Sequence, residues 1–109
     1  MSQRARRVNE LIKQAISTIL HTDYRAESVH ITLTEVVVSP DLRQATVFYS
    51  VLGDNLRQRE TDFFLNKIKS SLRRRLGQAI ILKYLPNLKF IYDPGIERSF
   101  QLMKLLDEL

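Results

Sequence analysis

The segment Val29-His30-Ile31-Thr32-Leu33-Thr34-Glu35-Val36-Val37-Val38-Ser39-Pro40-Asp41-Leu42-Arg43-Gln44-Ala45-Thr46-Val47-Phe48-Tyr49-Ser50-Val51 decides the fold. Val29, Ile31 and Leu33 alternate with His30, Thr32 and Thr34, and Ala45, Val47, Tyr49 and Val51 resume the same period. A period of two lines up one apolar row on one side of a pleated backbone, so each run reads as a half-buried strand. Ser39-Pro40-Asp41 between them is a turn signal, with proline pre-setting φ for the second turn position. Residues 29–38 and 44–52 are therefore predicted to pair as an antiparallel hairpin. Val36-Val37-Val38 breaks the alternation: either a bulge re-aims the strand there or this end is covered on both faces.

Upstream of the hairpin, Val8, Leu11, Ile12, Ala15, Ile16, Ile19 and Leu20 recur at the spacing of one helix face, which predicts an amphipathic helix from Arg4 to His21. Ser2 offers it an N-cap, and Asp23-Tyr24-Arg25 ends the pattern. Downstream, Gly53-Asp54-Asn55 supplies capping side chains for a helical region from Leu56 to Ile81. With Leu65, Ile68, Leu72 and Leu76 facing inward, Lys69 reads as falling inside the apolar stripe, where an unpaired ammonium is costly. A break near Ser70-Ser71 relieves that conflict, so two helices, Thr61–Ile68 and Leu72–Ile80, are expected to meet at an angle. Pro86 closes the region, and Leu88 to Tyr92 reads as a third strand. Asp93-Pro94 then supplies an N-cap and first-turn proline for a last helix with Ile96, Phe100, Met103 and Leu106 on its apolar side. The expected class is α+β with a three-stranded sheet. The 109 residues, 44% of them hydrophobic with 3 Gly and 3 Pro, are expected to form one domain over 1–109.

Composition narrows the chemistry. Zero Cys excludes disulfides, thiolate metal sites and cysteine nucleophiles, and fits a reducing compartment. The N-terminus has no apolar export segment and no run approaches the ~18 apolar residues that a bilayer requires, so a cytoplasmic protein with no membrane partner is expected. The two histidines, His21 and His30, lack metal-ligand spacing and read as surface residues. Gly53, Gly77 and Gly95 are too scattered to cradle a phosphate, and no nucleophile motif occurs. Glu60 and Asp62 do not face each other on a helix. The reading is a protein that is not an enzyme, without metal, cofactor or small-molecule substrate.

Binding chemistry is what remains. Lys and Arg total 17 against 12 Asp and Glu, a formal charge of +5. The excess is concentrated: from Phe63 to Tyr92 the chain carries Lys67, Lys69, Arg73, Arg74, Arg75, Lys83 and Lys89 and no acid, and Arg4, Arg6 and Arg7 precede the first acid, Glu10. Two basic clusters on an otherwise balanced chain are the footprint of a phosphate-backbone binder, although basic runs also occur as merely solvated helix faces. Placed just after a helix break, Arg73-Arg74-Arg75 would fan around exposed helix amides and grip phosphates. The competing reading pairs Arg75 with an acid elsewhere and leaves Arg73 and Arg74 solvated. Phe63, Phe64, Tyr84 and Tyr92 lie among the cations, where they either stack on bases or belong to the core. Charge alone also admits a DNA-binding protein, or an interaction module with an incidental basic face.

The sequence resembles the ribosome-binding factor A family over nearly its whole length. The resemblance is carried by Arg6-Arg7-Val8, Asp23-Tyr24-Arg25, Val36-Val37-Val38-Ser39-Pro40-Asp41-Leu42 and Val47-Phe48-Tyr49-Ser50-Val51-Leu52-Gly53-Asp54. It continues through Leu72-Arg73-Arg74-Arg75-Leu76, Leu85-Pro86-Asn87-Leu88-Lys89-Phe90-Ile91-Tyr92-Asp93, and Glu97 to Leu105-Leu106. It implies a type II KH-like RNA-binding domain, helix–strand–strand–helix–kink–helix–strand plus a C-terminal helix. The family's kink carries Ala-x-Gly, and here Ile68-Lys69-Ser70 stands in that place, without the glycine. The resemblance further implies an assembly factor, and a monomer is expected. Its partners would be the small ribosomal subunit and its ribosomal RNA, with roles in late maturation, 5′-end processing and growth in the cold. Arg4, Arg6, Arg7, Lys67, Lys69, Arg73, Arg74, Arg75, Lys83 and Lys89 are the candidate RNA contacts.

Overall fold

The computed structural model describes residues 3–94. Helix α1 spans Gln3–Asp23 and is followed by one short turn of helix, α2, at Arg25–Ser28. Strands β1 (Ile31–Val38) and β2 (Gln44–Val51) form the antiparallel hairpin. Helix α3 (Asn55–Ala79) crosses back, and β3 (Asn87–Tyr92) adds to the sheet parallel to β2, giving the order β1-β2-β3. The Ser2 cap and the last helix expected after Pro94 lie outside the described residues.

Both long helices pack on one side of the sheet. Ile12, Ile16, Ile19 and Leu20 of α1 meet Leu65, Ile68, Leu72 and Leu76 of α3 over Ile31, Leu33, Val36, Ala45, Val47, Tyr49, Leu88 and Phe90. Side chains bond at the helix ends. The buried Ser28 hydroxyl donates to Leu20 O at 2.9 Å, a second bond to a carbonyl that also accepts from Tyr24 N at 3.0 Å, so the buried hydroxyl is satisfied at the end of α1. Asp54 caps α3, its carboxylate accepting from Arg57 N at 2.9 Å. Gly53 precedes it at φ +148°, and a Cβ there would come within 2.6 Å of Arg57 Cδ, so a larger residue would strain the entry to α3.

Two expectations are corrected. The break at Ser70-Ser71 is absent: α3 is a single helix of 25 residues. Thr61, Leu65, Ile68, Leu72 and Leu76 are all buried along it in one continuous stripe. At 3.6 residues per turn that stripe is roughly 80° wide, and Lys69 falls roughly 20° outside it, beyond Leu76. Lys69 is half-buried at this edge, a position where a lysine stem covers apolar surface while the ammonium stays in water. The burial conflict that called for a break therefore does not arise. The bulge, for its part, sits earlier than the valine run. The register shifts between Leu33, opposite Tyr49, and Glu35, opposite Phe48, leaving Thr34 as the extra residue. This lets Leu33 and Val36, three apart in sequence, both face the core.

Candidate nucleic-acid interface

The basic residues of α3 separate by helix geometry. Lys67 and Arg74, seven apart, are exposed on its outer face. Arg73 points the other way, toward the segment joining α3 to β3, where its guanidinium donates from Nε to Pro86 O at 3.1 Å and from Nη2 to Leu85 O at 2.9 Å. Gly77, one turn on, faces the same segment: a Cβ would lie 3.2 Å from Leu85 Cδ2. Half-buried Arg73 is thus a brace for the approach to β3. Arg75 turns toward α1 and pairs with Asp23 at 2.9 Å, also donating to Gln78 at 3.2 Å. The reading that paired Arg75 with a distant acid and left Arg73 and Arg74 solvated holds for Arg75 and for exposed Arg74, and is corrected for Arg73, whose guanidinium is engaged by backbone carbonyls. Because α3 is continuous, the amides beneath the triplet lie in the helix interior, and no open N-terminus adds positive potential there.

A second group gathers at the end of the sheet where the β1–β2 turn lies. Arg4, Arg6 and Arg7 are exposed on the opening turns of α1, whose dipole adds positive potential. Asn9 ties this end of α1 to the sheet, accepting from Val38 N at 3.0 Å. Lys83 approaches from the α3–β3 connection, and Arg43 from the turn; both lie over the ring of Tyr84, at 5.6 Å and 5.7 Å from its centroid. Arg43 is a cation that sequence reasoning missed. It lies outside the acid-free segment, and only the fold, through Asn87 N donating to Arg43 O at 2.9 Å, brings it beside Lys83. A groove of about 800 Å³ opens here, lined by Arg4, Val8, Val38, Pro40, Leu42 and Lys83 among others. Lys89 stands apart, exposed on β3 opposite Thr46.

The turn is rigidly built. The Ser39 hydroxyl donates to Asp41 at 2.6 Å and accepts from Gln44 N at 3.0 Å, while Arg43 N donates to Asp41 at 3.1 Å. These hydrogen bonds, that from Ser39 foremost, hold the Asp41 carboxyl below its ordinary pKa.

The aromatic residues divide too. Phe64 packs edge-on against Tyr24, and Tyr92 against the buried Tyr49, so these belong to the core and its margin. Phe63 is 72% exposed and Tyr84 46%. Burial, with the hydrogen bond that Tyr49 donates to Asp62 at 3.0 Å, pushes the Tyr49 hydroxyl far above its ordinary pKa.

His21 is exposed, as expected of a surface residue, and both histidines are hydrogen-bonded. His21 bonds Ser17 O and Ile31 O at 2.9 Å and 3.2 Å. His30 is half-buried, 3.0 Å from the Thr61 hydroxyl. Since that hydroxyl donates to Arg57 O, it accepts from His30 Nε2. Burial, and then the Arg57 charge, lower the His30 pKa, partly opposed by Glu60. Among the described residues no three His, Asp or Glu side chains converge to hold a metal, and no helix is long and apolar enough to cross a membrane.

Over residues 4–106 the chain matches the family model for ribosome-binding factor A. It is 42% identical over 109 residues to the ribosome-binding factor A of Opitutus terrae, covering 100% of this chain and 89% of that relative. Its fold is similar to the crystal structure of ribosome-binding factor A from Thermus thermophilus, with a TM-score of 0.73 and 16% identity over 81% of this chain and 94% of that one. A homology model of the Thermus thermophilus factor, fitted into a cryo-EM map of a 30S-RbfA complex, is similar with a TM-score of 0.63 and 17% identity over 76% of this chain and 88% of that one. The KH-like α+β class holds, with a three-stranded sheet and one long helix where a kinked pair was expected.

Proposed function

The chain belongs to the ribosome-binding factor A family, and on that premise we propose that it is a cytoplasmic assembly factor that docks as a monomer on immature small ribosomal subunits. It assists late maturation and 5′-end processing of the subunit's RNA, and supports growth in the cold. Its action is binding without catalysis. The observation that carries this reading is the exposure of Arg4, Arg6, Arg7, Lys67, Arg74, Lys83 and Lys89 without a carboxylate partner among the described residues. Such cations displace counterions from phosphates and need no base sequence to do so. The fit of the Thermus thermophilus relative into a 30S complex supports the same target. Lys69 stands at the edge of the buried stripe of α3, away from Lys67 and Arg74, and offers its ammonium on that separate side, whereas Arg73 and Arg75 act first within the fold.

Co-sedimentation with ribosomal particles tests the proposal. The protein is expected with free small subunits in preference to whole ribosomes, and duplex DNA should not displace it. If about half of the candidate cations touch phosphate, the logarithm of the binding constant should fall against the logarithm of salt with a slope of roughly −3 to −5. A flat salt response, or equal binding to duplex DNA, rejects it.

A further inference from the structure

The groove at the turn end is set apart by its lining. Its floor is apolar, from Val8, Val38, Pro40 and Leu42, and its rim carries Arg4 and Lys83, with no acid in its lining among the described residues. At about 800 Å³ it falls in the size range of sites that hold a small ligand or part of a larger one. A smaller recess of about 160 Å³ continues it past Leu42 and Lys83 to Tyr84 and Pro86. Leu42 adopts φ 63°, a left-handed conformation that is unfavourable for a branched, non-glycine residue. Leu42 N donates to Ser39 O at 2.9 Å, and with the Ser39–Asp41 bonds this holds the residue there, its side chain shared by both recesses. Tyr84 has a further role. Arg43 and Lys83 repel each other, yet the Tyr84 ring attracts both, so that Arg43, which lines neither recess, is held near Lys83.

Resting on the RNA-binding reading above, we propose that this groove takes one unpaired nucleotide of single-stranded RNA. Its base lies against Val8, Val38 and Leu42, and its flanking phosphates are held by Arg4, Lys83 and Arg43. An apolar floor of this width suits the flat face of a base, which presents no charge, while a rim of cations without acids suits phosphate and repels a basic peptide. A duplex cannot enter, because its bases are stacked and turned inward. Tyr84 is a positioning residue: it sets where the two cations stand.

The test uses the full chain and a fluorescent, unstructured hexanucleotide RNA, compared with a hexamer of the same backbone lacking bases and with small subunits. The hexanucleotide should bind at least about fivefold more tightly than the abasic hexamer, a difference of about 1 kcal/mol. Leu42→Gly, which removes apolar surface beneath the base, should abolish most of that difference; Tyr84→Leu should weaken binding of both hexamers alike, and Tyr84→Phe, which keeps the ring face, should bind both as the parent does. A 4-thiouridine in the hexamer should crosslink within residues 38–43 or 83–84. Thermal melts establish that each variant is folded. Equal binding of the two hexamers, Tyr84→Leu behaving as the parent, or crosslinks confined to α3 overturns the groove assignment even if small subunits still bind. Failure to bind either hexamer or the subunits overturns the broader function with it.

Discussion

Arg73, Arg74 and Arg75 are consecutive in sequence and part company on α3, whereas Arg4, Arg43 and Lys83 come from three segments and meet at one end of the molecule. On a helix each step turns by about 100°, so neighbours in sequence face different surroundings. One arginine braces a connection, one faces water and one pairs with α1. At the turn end the opposite happens: a hairpin turn, a helix start and the approach to β3 are brought together by sheet pairing, so that Arg4 and Lys83 line one groove and Arg43 meets Lys83 at the Tyr84 ring. A run of charge in a sequence therefore overstates a local site on a helix, and understates one assembled from separate segments.

The largest expected effect breaks the regular side of this comparison. Because α3 runs unbroken through Ser70, Ser70→Pro should destabilise the protein by about 3 kcal/mol or more, through the lost amide hydrogen bond and the ring clash. Ser70→Gly should cost about 0.5 kcal/mol, the gap between serine and glycine in a helix interior. Chemical denaturation measures both; a mild Ser70→Pro would mean the helix is broken there after all.

Next in size is the contrast within the triplet. Arg73→Met keeps the stem but removes two charged donors from Leu85 O and Pro86 O, and should cost about 1–3 kcal/mol. Arg74→Met, at an exposed position, should stay within about 0.5 kcal/mol of the parent. Equal stability of the two variants would remove the distinction between brace and contact.

Binding sharpens the same contrast. Lys67→Gln with Arg74→Gln should leave the fold intact and reduce the magnitude of the salt slope for small-subunit binding by about 2, one for each phosphate no longer neutralised. An unchanged slope would place the RNA wholly at the turn end.

The smallest effect concerns pH. His30 has a lowered pKa in the fold, so the folded state favours its neutral form and the unfolded state binds the proton more readily. Its contribution is present above the unfolded value near 6.5 and is lost as pH falls through the lower, folded value. The melting temperature should therefore decline somewhat more steeply below about pH 6.5 in the parent than in His30→Asn. Identical profiles would mean that His30 protonation is not resisted by the fold.

Much of the architecture was written locally. The hairpin, the face of α1 and the Asp54 cap follow from alternation, helical spacing and capping chemistry, each of which acts over a few residues. The third strand was legible as well, since Leu88 and Phe90 alternate with Asn87 and Lys89. Reading Lys69 as buried was an error of a few tens of degrees on the helix, and it generated a break that the chain does not have.

Other features depended on partners distant in sequence. Ser28 bonding to Leu20, His30 resting on Thr61 and Arg73 reaching across to Leu85 and Pro86 are contacts between groups that have no common period. The position of the bulge was set by the need to turn Leu33 and Val36 to one core. The sequence by itself determined which segments become helix or strand and which face of each is apolar, because those preferences reside in neighbouring residues. Tertiary structure alone decided which cations brace the fold and which remain open to a partner. A guanidinium has the same charge wherever it stands, and only the arrival of a carbonyl, a carboxylate or an aromatic ring from elsewhere in the chain sets what it binds.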